Sequence, residues 1–152
     1  MQTTITPVGP TDLSAFIALM NAIGGEESPP NPDAGRGVMI ALARYDFTRS
    51  DSCSMLMARV AGTPAGYAAV AHVPKADART GFLFVDELYV LRAFRRRGVA
   101  RALLQRIKAL ARERGLAGVR LLVRPENDAA RRLYREDGFS EQATLLCEKR
   151  LP

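Results

Sequence analysis

A basic stretch in the middle of the chain carries the residues best suited to chemistry. It reads Arg95-Arg96-Arg97-Gly98-Val99-Ala100-Arg101, with Leu103-Leu104 just beyond. An extended apolar run, residues 82–90, precedes it, and an amphipathic helical pattern follows Gly98. Unpaired N–H groups and the helix dipole make a helix N-terminus a binding site for phosphate or pyrophosphate. The stretch therefore predicts an anion site, and the alternative is that the arginines form only a solvated basic face.

Composition narrows the class of protein. The chain has 152 residues, 47% of them hydrophobic, which favours one folded domain over residues 1–152. No apolar run approaches the roughly 20 residues that span a bilayer, and the N-terminus lacks the pattern of a signal peptide. Cys53 and Cys147 are too few for a disulfide framework, and with the single His72 they make no zinc site. A reduced, cytoplasmic protein without membrane association is the expectation.

The order of predicted elements indicates an α/β (α+β) fold. Strands are predicted at residues 3–8, 55–60, 67–73, 82–90, 119–123 and 144–151, and a loop at 26–37. Helices are predicted from Thr11 or Asp12 to Gly24-Gly25, over 38–47, from Gly98 to Gly115, and from Asn127 or Asp128 to Gly138. This order, β-α-α-β-β-β-α-β-α-β, predicts a mixed central sheet of about six to seven strands flanked by about four helices.

Two motifs in the second half of the chain match one family in order and placement. Arg95-Arg96-Arg97-Gly98-Val99-Ala100 fits Arg/Gln-x-x-Gly-x-Gly/Ala between a strand and a helix. Asn127, then Ala130-Arg131-Arg132-Leu133-Tyr134, then Gly138-Phe139 fit the second motif. On these residues the chain resembles the GNAT superfamily of acetyl-CoA-dependent N-acetyltransferases over roughly residues 82–139. The first eighty residues match that family in element order only.

The resemblance implies a GNAT-like single domain that uses acetyl-CoA as co-substrate and needs no metal. Backbone N–H groups from Arg96 to Arg101 would hold the pyrophosphate, and a strand backbone would pair with the pantetheine arm. Asn127 would hydrogen-bond coenzyme A, although an N-cap role explains it equally well. The implied cofactor-binding residues are Leu88, Tyr89, Val90, Arg95, Arg96, Arg97, Gly98, Val99, Ala100, Arg101 and Asn127.

Three side chains are candidates for catalysis. When an amine attacks a thioester, the departing thiolate needs a proton, and a phenol such as Tyr134 can donate one. The alternative is a core tyrosine at helical spacing. Asp86 and Glu87 precede Leu88, and one of them is expected to deprotonate or anchor a protonated amine; otherwise they are a solvated acidic pair. Successive strand residues face opposite sides, so only one is expected to face the acceptor, unless a bulge shifts the parity.

The expected activity is direct transfer of an acetyl group from acetyl-CoA to a primary amine. The acceptor would be a small molecule resembling a polyamine or an aminoglycoside, or the lysine or N-terminus of a protein. One alternative is a non-catalytic acyl-CoA-binding protein of the same fold. A basic nucleic-acid-binding module is disfavoured, because only 7% of residues are aromatic and no stacking rings interleave the arginines. Oligomeric state is left open, with a homodimer as one option.

Overall fold

One mixed sheet organises the first part of the chain. The computed structural model describes residues 2–152. Its strands are β1 (Thr3–Pro7), β2 (Cys53–Val60), β3 (Thr63–His72), β4 (Phe82–Val90) and β5 (Gly118–Leu121), and they lie side by side in that order. The first three pairings are antiparallel, whereas β4 and β5 run parallel. The predicted mixed sheet and the edge position of the first strand are confirmed.

The hairpin between β2 and β3 follows from its two turn residues. Val60 pairs with Thr63, which leaves Ala61 and Gly62 as a two-residue loop. Both have positive φ, 48° and 83°, as the tightest hairpin turns require. The turn sets the register that brings β3 and its inward side chains alongside β4.

Helices cover both faces of the sheet. Helices α1 (Leu13–Gly25) and α2 (Ala34–Arg44) contribute to one core, and α3 (Val99–Glu113) contributes to the other. Phe16, Leu19 and Ile23 of α1 are buried with Met57 and Tyr67 of the sheet. Among residues 2–152, no helix combines the length and apolarity needed to cross a bilayer.

Helix α3 has the apolar stripe that its sequence predicts. Val99, Leu103 and Ile107 are at most 1% exposed and pack against Leu83 and Val85 of β4. The spacing of these residues places them on one face of the helix. Packing on β4 therefore fixes where α3 begins, at the loop that carries the arginines.

The chain divides into two compact units, the first ending at Leu122 and the second running Val123–Pro152. The second unit contains helix α4 (Asp128–Glu136). Asn127 is its N-cap, because its side-chain oxygen accepts a hydrogen bond from the backbone N–H of Ala130 at 3.2 Å. Gly138, with φ 91°, ends it, and the N–H of Phe139 donates to the carbonyl of Tyr134 at 2.9 Å.

Two predictions about elements are wrong. The predicted strand at residues 144–151 does not form, so the described residues contain five strands rather than six to seven. Leu145, Leu146 and Leu151 are 92%, 73% and 82% exposed. The apolar residues of segment 144–151 suggest a strand, but a strand forms only where its backbone can hydrogen-bond to a neighbouring strand.

The second helix begins earlier than predicted, at Ala34 inside the expected loop, and ends at Arg44. Gly35 explains the difference, because its N–H donates to the side-chain oxygen of Asn21 at 2.8 Å. A Cβ at Gly35 would lie only 2.6 Å from that side chain. Here the glycine allows α1 and α2 to approach closely, rather than marking a loop.

Candidate functional site

The loop between β4 and α3 leads directly into the N-terminus of a helix. A short 3-10 turn, Arg92–Phe94, leads into Arg96 with φ 59° and then Gly98 with φ 79°, the N-cap of α3. The first hydrogen bond within the helix joins the N–H of Ala102 to the carbonyl of Gly98 at 2.9 Å. The N–H groups of Gly98, Val99 and Ala100 therefore have no acceptor within the helix. A turn of this kind into a helix N-terminus is suited to binding an anion.

A left-handed backbone at Arg96 is unusual for a residue with a side chain. It costs about 1–2 kcal/mol relative to the right-handed conformation. Strain of this kind persists where the surrounding structure enforces it, and it concentrates at binding loops. The geometry is therefore consistent with the anion site that the sequence predicts.

The three consecutive arginines are not equivalent. Arg96 and Arg97 are exposed, and the Arg97 guanidinium lies over the ring of Phe94 at 5.8 Å. Arg95 instead turns toward β4: its Nε donates to the carbonyl of Val90 at 2.9 Å, and its guanidinium lies 5.3 Å from the centre of the Tyr89 ring. Arg96 and Arg97 can offer charge to an anion, whereas Arg95 ties the loop to the end of β4.

Glu26, just after α1, is a residue that sequence reasoning missed as part of this loop. Its side chain is 19% exposed and accepts hydrogen bonds from the Tyr89 hydroxyl at 2.8 Å and from the backbone N–H of Arg92 at 2.9 Å. Nη2 of Arg95 lies 3.9 Å from the same carboxylate. Burial and the hydrogen bond to Glu26 raise the pKa of Tyr89. Glu26 thus links the end of α1 to the start of the arginine loop, a contact that no local sequence pattern indicates.

Strand β4 extends past its neighbour β5. The parallel pairing covers only Phe82 to Val85, so the last five residues of β4 have no β5 partner on that side. Leu88, Tyr89 and Val90 lie in this unpaired part, immediately before the arginine loop. Among the described residues, the carbonyl of Val90 is partnered there by Arg95. An open strand edge of this kind can pair with an extended ligand.

A bulge in β4 determines where its two carboxylates point. Ala69 of β3 pairs with Glu87, but the next residue, Val70, pairs with Val85, so Asp86 is the extra residue. Leu83 and Val85 before the bulge and Leu88 and Val90 after it all pack on the α3 side. An uninterrupted strand would have placed Val85 and Glu87 on the same face. The bulge moves Glu87 to the α1 and α2 side.

Asp86 and Glu87 line the same cleft, because the bulge interrupts the alternation that would otherwise place successive side chains on opposite faces. The cleft has a volume of about 240 Å³ and lies within the first unit. Both carboxylates are exposed. The other wall is mostly apolar: Met55, Ala69, Val70, Ala71, Val73 and Phe84. Cys53 completes the lining; burial, with the charge of Asp86, raises the pKa of its thiol.

Tyr67 holds the carboxylate of Glu87 in place, and sequence reasoning missed this tyrosine. The residue is 6% exposed, its hydroxyl donates a hydrogen bond to Glu87, and its ring meets that of Phe16 edge-on at 5.7 Å. Burial, more than the hydrogen bond to Glu87, raises the pKa of Tyr67, and the charges of Asp86 and Glu27 act in the same direction. Tyr67 is therefore a neutral donor that orients Glu87.

The second unit contains Tyr134 and Asn127. Tyr134 is half-buried on α4, with its ring 5.7 Å from that of Phe139, and burial raises its pKa. The phenol therefore stays protonated through the neutral range, as a proton donor must. The N-cap role of Asn127 is confirmed.

Metal ligands do not cluster in the described part of the chain. Residues 2–152 contain no group of three or more His, Cys, Asp or Glu side chains arranged to hold a metal ion. Cys147 is exposed in the second unit, whereas Cys53 lies in the cleft.

A mixed sheet whose fourth strand leads through a glycine-containing loop into a helix N-terminus is the framework of this α/β protein. Residues 18–139 match the family model described as Acetyltransferase (GNAT) family. The chain belongs to that family, and it is therefore an acetyltransferase by family. No curated protein sequence matches it.

Solved structures share its fold at low sequence identity. An aminoglycoside acetyltransferase, HMB0005, from an uncultured soil metagenomic sample is 22% identical with a TM-score of 0.81, covering 99% of this chain and 100% of that one. AAC(6')-Iy, in complex with a bisubstrate analogue of coenzyme A and acetylneamine, is 21% identical with a TM-score of 0.77, covering 99% and 100%. Ribosomal-protein-alanine N-acetyltransferase from Brucella melitensis biovar Abortus 2308 is 18% identical with a TM-score of 0.73, covering 97% and 99%.

Proposed function

We propose that the chain, as one N-acetyltransferase domain over residues 1–152, transfers the acetyl group of acetyl-CoA directly to a primary amine. The observation that carries the proposal is the succession along β4. Two carboxylates in a cleft, an unpaired strand edge and a helix N-terminus suited to binding an anion follow one another between Asp86 and Ala100. A protonated amine, the pantetheine arm and the pyrophosphate require these three features in turn. Fold likeness to amine acetyltransferases is consistent with this assignment.

The donor half of the site binds through its backbone. N–H groups from Arg96 to Arg101 hold the pyrophosphate, and the side chains of Arg96 and Arg97 add countercharge. The backbone of Leu88, Tyr89 and Val90 pairs with the pantetheine arm as an added strand would. Arg95 acts by holding the loop, and Asn127 adds a hydrogen bond to coenzyme A beside its N-cap role.

The acceptor half removes one proton and the donor half returns one. A primary alkylamine with a pKa near 10 arrives protonated, and its nitrogen must lose a proton before it can attack. Glu87 or Asp86 accepts that proton, directly or through water. The nitrogen then forms a bond to the acetyl carbon and gives its second proton to water, the carbon–sulfur bond breaks, and Tyr134 donates its proton to the departing thiolate. The tyrosine recovers a proton from solvent.

The candidate acceptors are a small polyamine-like or aminoglycoside-like molecule, or the lysine or N-terminus of a protein. Carboxylates of Asp86 and Glu87, with Glu27 near enough to Tyr67 to act on its pKa, make the region suitable for a cation. Glu87 is the better placed of the pair, because Tyr67 orients it through one oxygen and leaves the other for the amine.

Calorimetric titration with acetyl-CoA, followed by a thiol-release assay with a panel of amines, tests the proposal. Binding and amine-dependent release of free coenzyme A are expected. Glu87→Gln should lower kcat/KM by about 10²-fold or more relative to the wild type, because it removes a general base. Asp86→Asn should lower kcat/KM less. Absence of acetyl-CoA binding at millimolar concentration would refute the proposal. Binding without turnover on any amine would instead identify an acyl-CoA sensor.

A further inference from the structure

Most of the residues that line the cleft beside the bulge are apolar. Met55, Val73 and Phe84 line it together with Ala69 and Ala71. Val73 is 57% exposed at the end of β3, so apolar surface continues from the cleft to its rim. Apolar surface left open to water at a concave site is typical of a ligand-binding pocket.

Hydrogen-bonding side chains are few in this cleft. Within the part of the chain that the structure describes, the lining side chains that can hydrogen-bond are the carboxylates of Asp86 and Glu87 and the thiol of Cys53. A thiol is a weak donor. The carboxylates accept hydrogen bonds and attract a cation, so they suit an ammonium group. The rest of the wall could not replace the water lost by ligand hydroxyls.

We propose that the acceptor is a primary amine whose ammonium group is attached to an apolar body, an alkyl chain or a hydrocarbon ring, rather than to a polyhydroxylated ring. The ammonium lies against Glu87 and Asp86, and the hydrocarbon covers Val73, Phe84 and Met55. This inference rests on the proposed function, since it concerns the amine that the same site acetylates. It narrows the candidate acceptors and places the chain apart from enzymes that act on aminoglycosides.

The volume of the cleft agrees with such an acceptor. About 240 Å³ is close to the lower limit of ligand pockets, roughly 300 Å³. One ring or a short chain fits this volume, whereas a compound of several linked rings must extend into solvent. An amine of one ring is therefore the simplest probe.

The decisive comparison uses two amines at a pH below the pKa of both, so that each carries one positive charge. Cyclohexylamine and glucosamine each present one amino group on a six-membered ring, but glucosamine carries hydroxyl groups. Full-length protein is assayed for thiol release with acetyl-CoA and each amine at one pH, and neamine is the larger polyhydroxylated probe. We expect kcat/KM for cyclohexylamine to exceed that for glucosamine by at least about tenfold, because unpaired ligand hydroxyls are left against an apolar wall.

A paired substitution assigns the preference to this cleft. Val73→Thr keeps the shape of the side chain and adds one hydroxyl at the rim, so it should narrow the cyclohexylamine-to-glucosamine ratio by about twofold or more. Leu122→Thr is the control, since Leu122 is similarly exposed, at 55%, and does not line the cleft. That variant should leave the ratio unchanged.

Each outcome decides something. Equal or higher kcat/KM with glucosamine or neamine would overturn the inference and leave the proposed acetyl transfer standing. If Val73→Thr and Leu122→Thr change the cyclohexylamine-to-glucosamine ratio of kcat/KM to the same extent, the cleft does not select the amine. No turnover with any of the three amines, with a polyamine or with a peptide amine, despite acetyl-CoA binding, would overturn the proposed function and with it this inference.

Discussion

Replacement of Glu26 by glutamine should loosen the arginine loop without changing the shape of the side chain. The carboxylate accepts from the Tyr89 hydroxyl at 2.8 Å and from the Arg92 N–H at 2.9 Å, and lies 3.9 Å from Nη2 of Arg95. Glutamine keeps one acceptor oxygen but loses the second and the charge. The backbone carbonyl of residue 26, which accepts from Nη2 of Arg92, remains in the variant.

The expected loss follows from the two hydrogen bonds. A hydrogen bond to a charged group contributes about 1.5–3 kcal/mol, against about 1 kcal/mol for a neutral one. One bond is lost and the other becomes neutral, while partial exposure of Arg95 weakens its ion pair. The free energy of unfolding should fall by about 1–2 kcal/mol, which for a protein of this size lowers Tm by roughly 3–6 °C.

Glu27→Gln is the matched control, because Glu27 is the next residue, carries the same charge and is exposed. It should change the free energy of unfolding by less than about 0.5 kcal/mol. Thermal unfolding and calorimetric titration with coenzyme A measure both variants. Glu26→Gln should also weaken coenzyme A binding by about threefold to tenfold, because the loop must be ordered on binding. Equal Tm and Kd for the two variants would refute the role given to Glu26.

Three further predictions concern the loop, the proton donor and a surface ion pair. Gly98→Ala adds a Cβ in open space, so only the positive φ of 79° opposes the substitution. It should lower the free energy of unfolding by about 1 kcal/mol and weaken coenzyme A binding. The control is Gly37→Ala, also in open space but within α2, which should be neutral or stabilising in a denaturant titration. Tyr134→Phe should lower kcat by about 10²-fold or more with little change in the Kd of acetyl-CoA, and unchanged turnover would remove this tyrosine from the mechanism. Hydrogen bonds from the Gly9 N–H and from Arg59 lower the pKa of Asp12 in the folded state. The carboxylate therefore stabilises the fold at pH values above its unfolded pKa of 3.8. This contribution is lost as the pH falls through the lower pKa of the folded state. The difference in unfolding free energy between the wild type and Asp12→Asn should therefore shrink between pH 7 and pH 3; a constant difference would contradict the assignment.

Local signals in the sequence predict strand β4, helix α3 and the cap of helix α4 well. The apolar stripe through Val99 and Leu103, the position of Gly98 and the cap at Asn127 all depend on neighbours within a few residues, and the structure confirms each of them. Strand β4 has the predicted bounds, 82–90, for the same reason. Features that depend on the spacing of nearby residues can be predicted from a single sequence.

Contacts between distant segments lie outside such reasoning. Glu26 meets Tyr89 across 63 positions, and Tyr67 meets Glu87 across 20. In the sequence, nothing about Glu26 or Glu87 or the residues next to them distinguishes these glutamates from ones without a partner. The absence of a strand at residues 144–151 has a similar cause, since pairing depends on what the sheet places alongside a segment.

The bulge at Asp86 shows how one residue of register decides the chemistry of the acceptor side. Without it, Glu87 would share the face of Leu83 and Val85, which α3 buries, and a carboxylate there would need an internal partner. With it, the apolar residues on both sides of the bulge stay under α3, and both carboxylates reach the cleft. The same extra residue thus satisfies the core and exposes two negative charges beside the unpaired edge at Leu88. Because neither carboxylate packs under α3, both Asp86→Asn and Glu87→Gln test the acceptor chemistry. For Glu87→Gln the free energy of unfolding is measured as well, since the buried Tyr67 hydroxyl then donates to a neutral acceptor.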